Sequence, residues 1–215
     1  MKLYPVNLKI AGRKCVVVGG GNVAERKIGV LLSCGAEVTV ISPEFGRCIE
    51  ELVERGAIRA VSRCFRSGDL EGAFLVIAAT SDRETNEAVY REGHEAGALV
   101  NVVDVPDLCD FYVPARVTRG DLSIAIGTGG SFPALCKRLR KELEVQFGPE
   151  YADYLELLEA CRKDIREALP DAARRREAEG ALLEVPVLRL LAEGKAEEAA
   201  KALHECVERL SLIHI

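Results

Sequence analysis

Three consecutive glycines, Gly19-Gly20-Gly21, stand between the apolar β-branched run Lys14–Val18 and a stretch of helical periodicity that opens at Asn22. No other feature restricts the fold as much. A short apolar run ending in glycines predicts a buried strand and a tight turn. Val23, Ile28, Val30, Leu31 and Leu32 then predict a helix over 22–34, with Gly35 placed to stop it. The alternation continues with strand 37–41, helix 47–55, strands 58–61 and 74–79, helix 83–96 and strand 99–103. Buried strands separated by helical stretches imply parallel pairing through right-handed crossovers, and so an α/β, Rossmann-like doubly wound sheet.

Beyond residue 103 the pattern changes. Residues 106–120 read as loop, Leu122–Ile126 alternates as a strand, and the turn 127–132 introduces a helix over 133–147 that Gly148 and Pro149 break. After residue 150 the chain is charged, rich in Ala, Leu and Glu, and helical in period, with breaks expected near Pro170, Gly180, Pro186 and Gly194. The expected division is therefore 1–112 for the doubly wound domain, 113–149 for a small α+β region and 150–215 for a helical domain. A chain of 215 residues that is 48% apolar and 29% charged has enough material for such cores.

Charge excludes some partners. A net charge of −5 is a poor balance for wrapping nucleic acid or coating an anionic membrane. Only residues 113–145 are locally basic, with six Lys or Arg against three Asp or Glu. The eight cysteines show no C-x-x-C pairing, the N-terminus lacks an apolar signal region, and no apolar run approaches the ~20 residues of a membrane span. These features point to reduced, mostly buried thiols in a soluble cytoplasmic protein.

Gly19 to Ala24 fits the dinucleotide pattern G-x-G-x-x-G/A. Gly19 permits the tight turn, Gly21 admits a diphosphate, the N–H groups of Asn22 and Val23 face it from the helix start, and small Ala24 lets helix pack on strand. The ribose contacts are expected at the end of the second strand, where Ser42, Pro43 and Glu44 stand. Glu44 reads either as the ribose acceptor or as a solvated loop acid, and with no arginine at the strand end itself, although Arg47 is near, NAD is expected over NADP. Small Ala79 and Thr80, closing the fourth strand, would admit the nicotinamide half. Asp82 reads as the cap of the following helix. Asp104 follows the fifth strand at the same ligand-bearing edge, and Asp107 and Asp110 next to it form a like-charge group favouring proton uptake by one member. On spacing alone it equally ends a strand.

Five blocks in order carry a resemblance over essentially the whole chain: Gly19 to Lys27, Ala78-Ala79-Thr80, Asn101-Val102-Val103-Asp104, Phe111 with Pro114-Ala115, and Gly127 to Pro133. The sequence resembles the precorrin-2 dehydrogenase / sirohydrochlorin ferrochelatase family, which also forms the N-terminal half of fused siroheme synthases. The resemblance implies NAD-dependent oxidation of precorrin-2 to sirohydrochlorin, with Asp104 as the residue of the chemistry and, where the protein is bifunctional, of ferrous iron insertion. It also implies a homodimer built on the 113–149 region and a helical tail that closes over the tetrapyrrole cleft. For a polycarboxylate substrate, Arg116, Arg119, Lys137 and Arg138, with Arg140 and Lys141 beside them, are the candidate partners, together with Thr128, Gly129 and Ser131 of the glycine-rich turn. The same basic residues also read as a solvated helix face. Thr128 stands where fused members carry a phosphorylated serine, and no methyltransferase half follows, so precorrin-2 is expected from a separate protein.

No protein-bound metal is expected, because His94, His204 and His214 lack ligand spacing. Two other readings fit the first 103 residues: a non-catalytic NAD-sensing module acting through its helical tail, and a dehydrogenase of another small metabolite.

Overall fold

The computed structural model describes residues 2–212, so His214 and the last residues of the terminal LSLIHI lie outside the described residues. Two compact units result, Tyr4–Val113 and Pro114–Ile215 with Met1–Leu3.

The first unit is a five-stranded parallel sheet of order β3-β2-β1-β4-β5, formed by β1 (Lys14–Val18), β2 (Glu37–Ser42), β3 (Arg59–Ser62), β4 (Leu75–Ala78) and β5 (Leu99–Val102). Alternation within β1 explains its central place. Cys15 and Val17 enter one core with Ala24, Ile28 and Leu31 of α1 (Asn22–Ser33) and Ile49 of α2 (Arg47–Glu54). Val16 and Val18 enter the other with Val76, Val100 and Val89 of α3 (Arg83–Glu95). A strand buried on both faces needs helices on both sides, and the continuous apolar run encodes that demand. The chain runs outward from β1 through β2 to β3, then returns to β4 on the other side of β1. This reversal of strand order leaves a crevice at the carboxyl ends of β1 and β4, which is where open α/β sheets take ligands.

The second unit contains an element that the sequence reading treated as loop. β6 (Ala115–Arg119) pairs antiparallel with β7 (Leu122–Ile126) through Gly120 and Asp121, with Gly120 at φ +54°. A two-residue hairpin turn needs positive φ at its first central position. The prolines at 106 and 114 obscured the alternation around buried Val117. Ahead of it, Pro106–Leu108 forms a single 3-10 turn.

Four further helices follow α4 (Pro133–Gln146). They are α5 (Glu150–Ala168), α6 (Ala172–Leu183), α7 (Leu188–Ala192) and α8 (Ala196–Leu212), packed around Ile165, Leu182 and Leu203. Breaks occur near Pro170, Pro186 and Gly194, but α6 runs through Gly180. A lone helical glycine costs only ~1 kcal/mol, less than burying Ala178 and Leu182 returns. All eight cysteines are free thiols, yet Cys34, Cys48 and Cys64 are exposed and only Cys15, Cys161 and Cys206 buried, so the thiols are not mostly buried as expected.

Candidate functional site

The glycine turn is shaped by two close approaches and one opening. Gly19 has φ +123°, and a side chain there would run into the Ala79 carbonyl oxygen. At Gly20 a Cβ would collide with the Glu44 carbonyl and lie 2.8 Å from Ser42 Oγ, while Gly46 N donates to Gly20 O at 2.9 Å. The turn is thereby wedged between the ends of β2 and β4. Gly21 differs: an added Cβ would meet nothing within 4 Å. Beside that opening lies the start of α1, with no side-chain cap on its first N–H groups, so Asn22 and Val23 offer unsatisfied donors where the helix dipole is positive. Buried Ala24 lets α1 sit against the sheet. Open space, free N–H groups and a positive helix end suit a dinucleotide's diphosphate, and these residues fit that group.

Around the turn the expected contacts take different forms. Ser42 is buried, whereas Pro43 and Glu44 are exposed. Glu44 meets the glycine turn through its backbone carbonyl. Ala79 and Thr80 are half-buried at the end of β4. Buried Asn86 holds Thr80 twice, its Oδ1 accepting from the Thr80 hydroxyl at 3.0 Å and its Nδ2 donating to the Thr80 carbonyl at 3.1 Å. Asp82 caps α3 as expected, accepting from the Thr85 hydroxyl and from Thr85 N, and those bonds hold its carboxyl below the usual carboxylate range.

Asp104 lies in the loop after β5, exposed, with φ +62°. Among the described residues no other non-glycine has a positive φ. Left-handed backbone disfavours L side chains by roughly 1–2 kcal/mol, with Asp and Asn the most tolerant, so surrounding bonds must hold it. Its expected like-charged partners each have a place of their own in the loop. Asp110 accepts from Val100 N at 2.8 Å and pairs with His94 Nε2 at 3.1 Å, and Asp107 sits in the 3-10 turn. The charged neighbour that sequence reasoning missed is Lys27. It follows Ala24 by three residues on the inward side of α1, and burial, aided by neighbouring Arg26, lowers its pKa, while Cys109 and Asp104 act to raise it. The signal available was helical spacing alone, since Lys27 lay inside the quoted motif.

In the second unit the basic residues separate into groups. Arg119 is turned to structural use: its guanidinium donates to the carbonyls of Thr118, Glu144 and Phe147, satisfying the C-terminal end of α4. Three of its five N–H donors are thus engaged within the chain, a use the sequence did not announce. Arg138 pairs with Glu142 at 2.7 Å and Arg140 with Glu144, whereas Lys137 is exposed with no ion pair among the described residues, and Arg116 is half-buried. The Thr128 hydroxyl accepts from Phe132 N at 3.2 Å, closing a turn in which Gly129 and Gly130 have φ +61° and +82° and Ser131 is exposed.

A family model described as "Putative NAD(P)-binding" matches residues 6–115. The siroheme synthase of Methylococcus capsulatus is 40% identical over 208 residues, covering 97% of this chain and 44% of that protein. That of Thioalkalivibrio sulfidiphilus is 37% identical, covering 97% and 42%. The chain thus spans under half the length of these curated relatives. Among solved structures, "SirC, precorrin-2 dehydrogenase" superposes with a TM-score of 0.78 at 30% identity, covering 94% of this chain and all of that one.

Proposed function

Since this chain belongs to the NAD(P)-binding family that includes precorrin-2 dehydrogenase, we propose that it oxidises precorrin-2 to sirohydrochlorin with NAD, in siroheme biosynthesis. The observation that carries this reading is Asp104, an acid in strained left-handed backbone at the carboxyl edge of the sheet that bears the glycine turn. NAD, when bound, accepts the hydride. The chain's residues do the rest. Gly21, Asn22 and Val23 hold the diphosphate, Gly19 and Ala24 fix the turn against strand and helix, and Ser42, Pro43 and Glu44 border the ribose. Ala79 and Thr80 border the nicotinamide half. The Asp104 carboxylate takes the proton that leaves the macrocycle, so one hydride and one proton account for the oxidation.

The substrate's carboxylates are assigned to Arg116, Lys137 and Arg138, with the Thr128, Gly129 and Ser131 turn offering N–H groups. Ferrous iron, if inserted afterwards, is a substrate whose ligands the ring supplies. Anaerobic incubation with precorrin-2 and NAD is expected to produce sirohydrochlorin absorbance together with NADH. Binding of NAD without oxidation would favour the sensing module instead. Ferrous ion added to the same mixture then reads chelation.

A homodimer belongs to the same reading. α4 has no buried residue in the single chain, and Phe132, Leu135 and Val145 are exposed, Val145 by 86%. Such apolar surface calls for a partner. Light scattering after gel filtration is expected to give twice the 23.4 kDa chain mass, and a mass of one chain removes the proposal.

A further inference from the structure

Ser42, Asn86 and Asn101 are the buried polar or charged side chains of the described chain, and all three lie at or just beyond strand carboxyl ends bordering the crevice. Burying an amide is unfavourable unless its bonds are made, so Asn86 and Asn101 each have a defined set of partners to explain. Asn101, 6% exposed on β5, reaches across to the returning chain. Its Nδ2 donates to the Phe111 carbonyl at 2.9 Å and lies 3.4 Å from Cys109 Sγ. Cys109 in turn directs its thiol at the carbonyls of Val102 and Val105, at 3.1 and 3.3 Å, the residues that bracket Val103 and Asp104. Burial pushes the Cys109 thiol up, so it stays an S–H donor. Backbone bonds complete the closure, from Val103 N to Ala78 O, Val105 N to Val102 O and Asp110 N to Val100 O.

The result is a loop pinned at both ends whose crest is the one left-handed aspartate. We infer that Asn101 and Cys109 are positioning residues for Asp104: the amide and the thiol together clamp the loop so that the carboxylate is presented in strained backbone at the crevice. This rests on the reading of Asp104 as the acid–base residue. Without the clamp, the loop has every reason to relax into ordinary right-handed or extended backbone, carrying the carboxylate away from its place. Displacements of about 1 Å can cost on the order of a hundredfold in rate.

Three variants test the clamp in the full chain. Asn101→Ala removes the amide, Cys109→Ala removes the thiol, and Cys109→Ser keeps a donor at the same point. Expected for both alanine variants is a fall in kcat for precorrin-2 oxidation of about tenfold to a hundredfold, with KM for NAD unchanged, because the glycine turn is untouched. Cys109→Ser should recover most of kcat. Should Asn101→Ala fail to fold, the Cys109 pair decides the matter. Full kcat in Cys109→Ala, or a serine variant as slow as the alanine, overturns the inference. So does a loss that appears equally in NAD binding, which a merely structural role would give. Asp104→Asn, run alongside, separates the two levels. If it still oxidises precorrin-2, the reading of Asp104 fails. If it is inactive while Asn101→Ala and Cys109→Ala turn over normally, only the clamp fails.

Discussion

Asp104→Asn is expected to lower precorrin-2 oxidation by about a hundredfold to ten-thousandfold, the span a positioned proton acceptor contributes, while NAD binds as before. Asparagine is the informative replacement. It tolerates the left-handed backbone at φ +62°, whereas alanine there adds about 1–2 kcal/mol of strain and confounds chemistry with geometry. Two nearby groups are already engaged. Asp110 is engaged by Val100 N and His94, and the Cys109 thiol is directed at backbone carbonyls. The measurements are single-turnover formation of sirohydrochlorin and a separate titration of NAD. Turnover in the asparagine variant within a few-fold of the unchanged protein would remove the carboxylate from the mechanism, and loss of NAD binding would make residue 104 part of the cofactor site instead.

What the sequence revealed and what it concealed divide along a physical line. Local rules act within a few residues, so KCVVV followed by three glycines announced the strand, the turn and the helix, and Asp82 was recognisable as a cap from its place before α3. The parallel order followed because each crossover had a helix to fill it. Everything concealed depends on residues distant in the chain. Nothing near Arg119 announced that its guanidinium bonds the carbonyls of Glu144 and Phe147, some 25 and 28 residues onward. Lys27 stood only as the end of the block Gly19 to Lys27, and its electrostatic interaction with Asp104 and Cys109 depends on the fold. The like-charge group of Asp104, Asp107 and Asp110 was a reading of spacing, which could not show that Asp110 meets His94 of α3. The β6–β7 hairpin was hidden by prolines outside its strands, although the Gly120 turn was there to be found.

The glycine turn offers the second large effect, through a contrast between two neighbouring positions. Gly21→Val should leave the fold intact. The backbone there, φ −90° and ψ −175°, is extended and suits a β-branched residue, and the space a side chain would enter has no protein atom within 4 Å. That same space is where the diphosphate must approach the N–H groups of Asn22 and Val23. Losing two hydrogen bonds to a charged group, at roughly 1.5–3 kcal/mol each, corresponds to a fall in NAD affinity of about a hundredfold to ten-thousandfold. Gly20→Ala should behave in the opposite way at its root. Its methyl meets the Glu44 carbonyl and Ser42 Oγ, so the end of β2 must move, at a cost of about 1–3 kcal/mol in stability. Denaturant unfolding and NAD titration on the two variants therefore distinguish a cofactor cradle from a plain strand–helix joint. A joint would tolerate valine at 21 without change in either measurement, and in that case the glycines serve only the fold and the nucleotide must lie elsewhere.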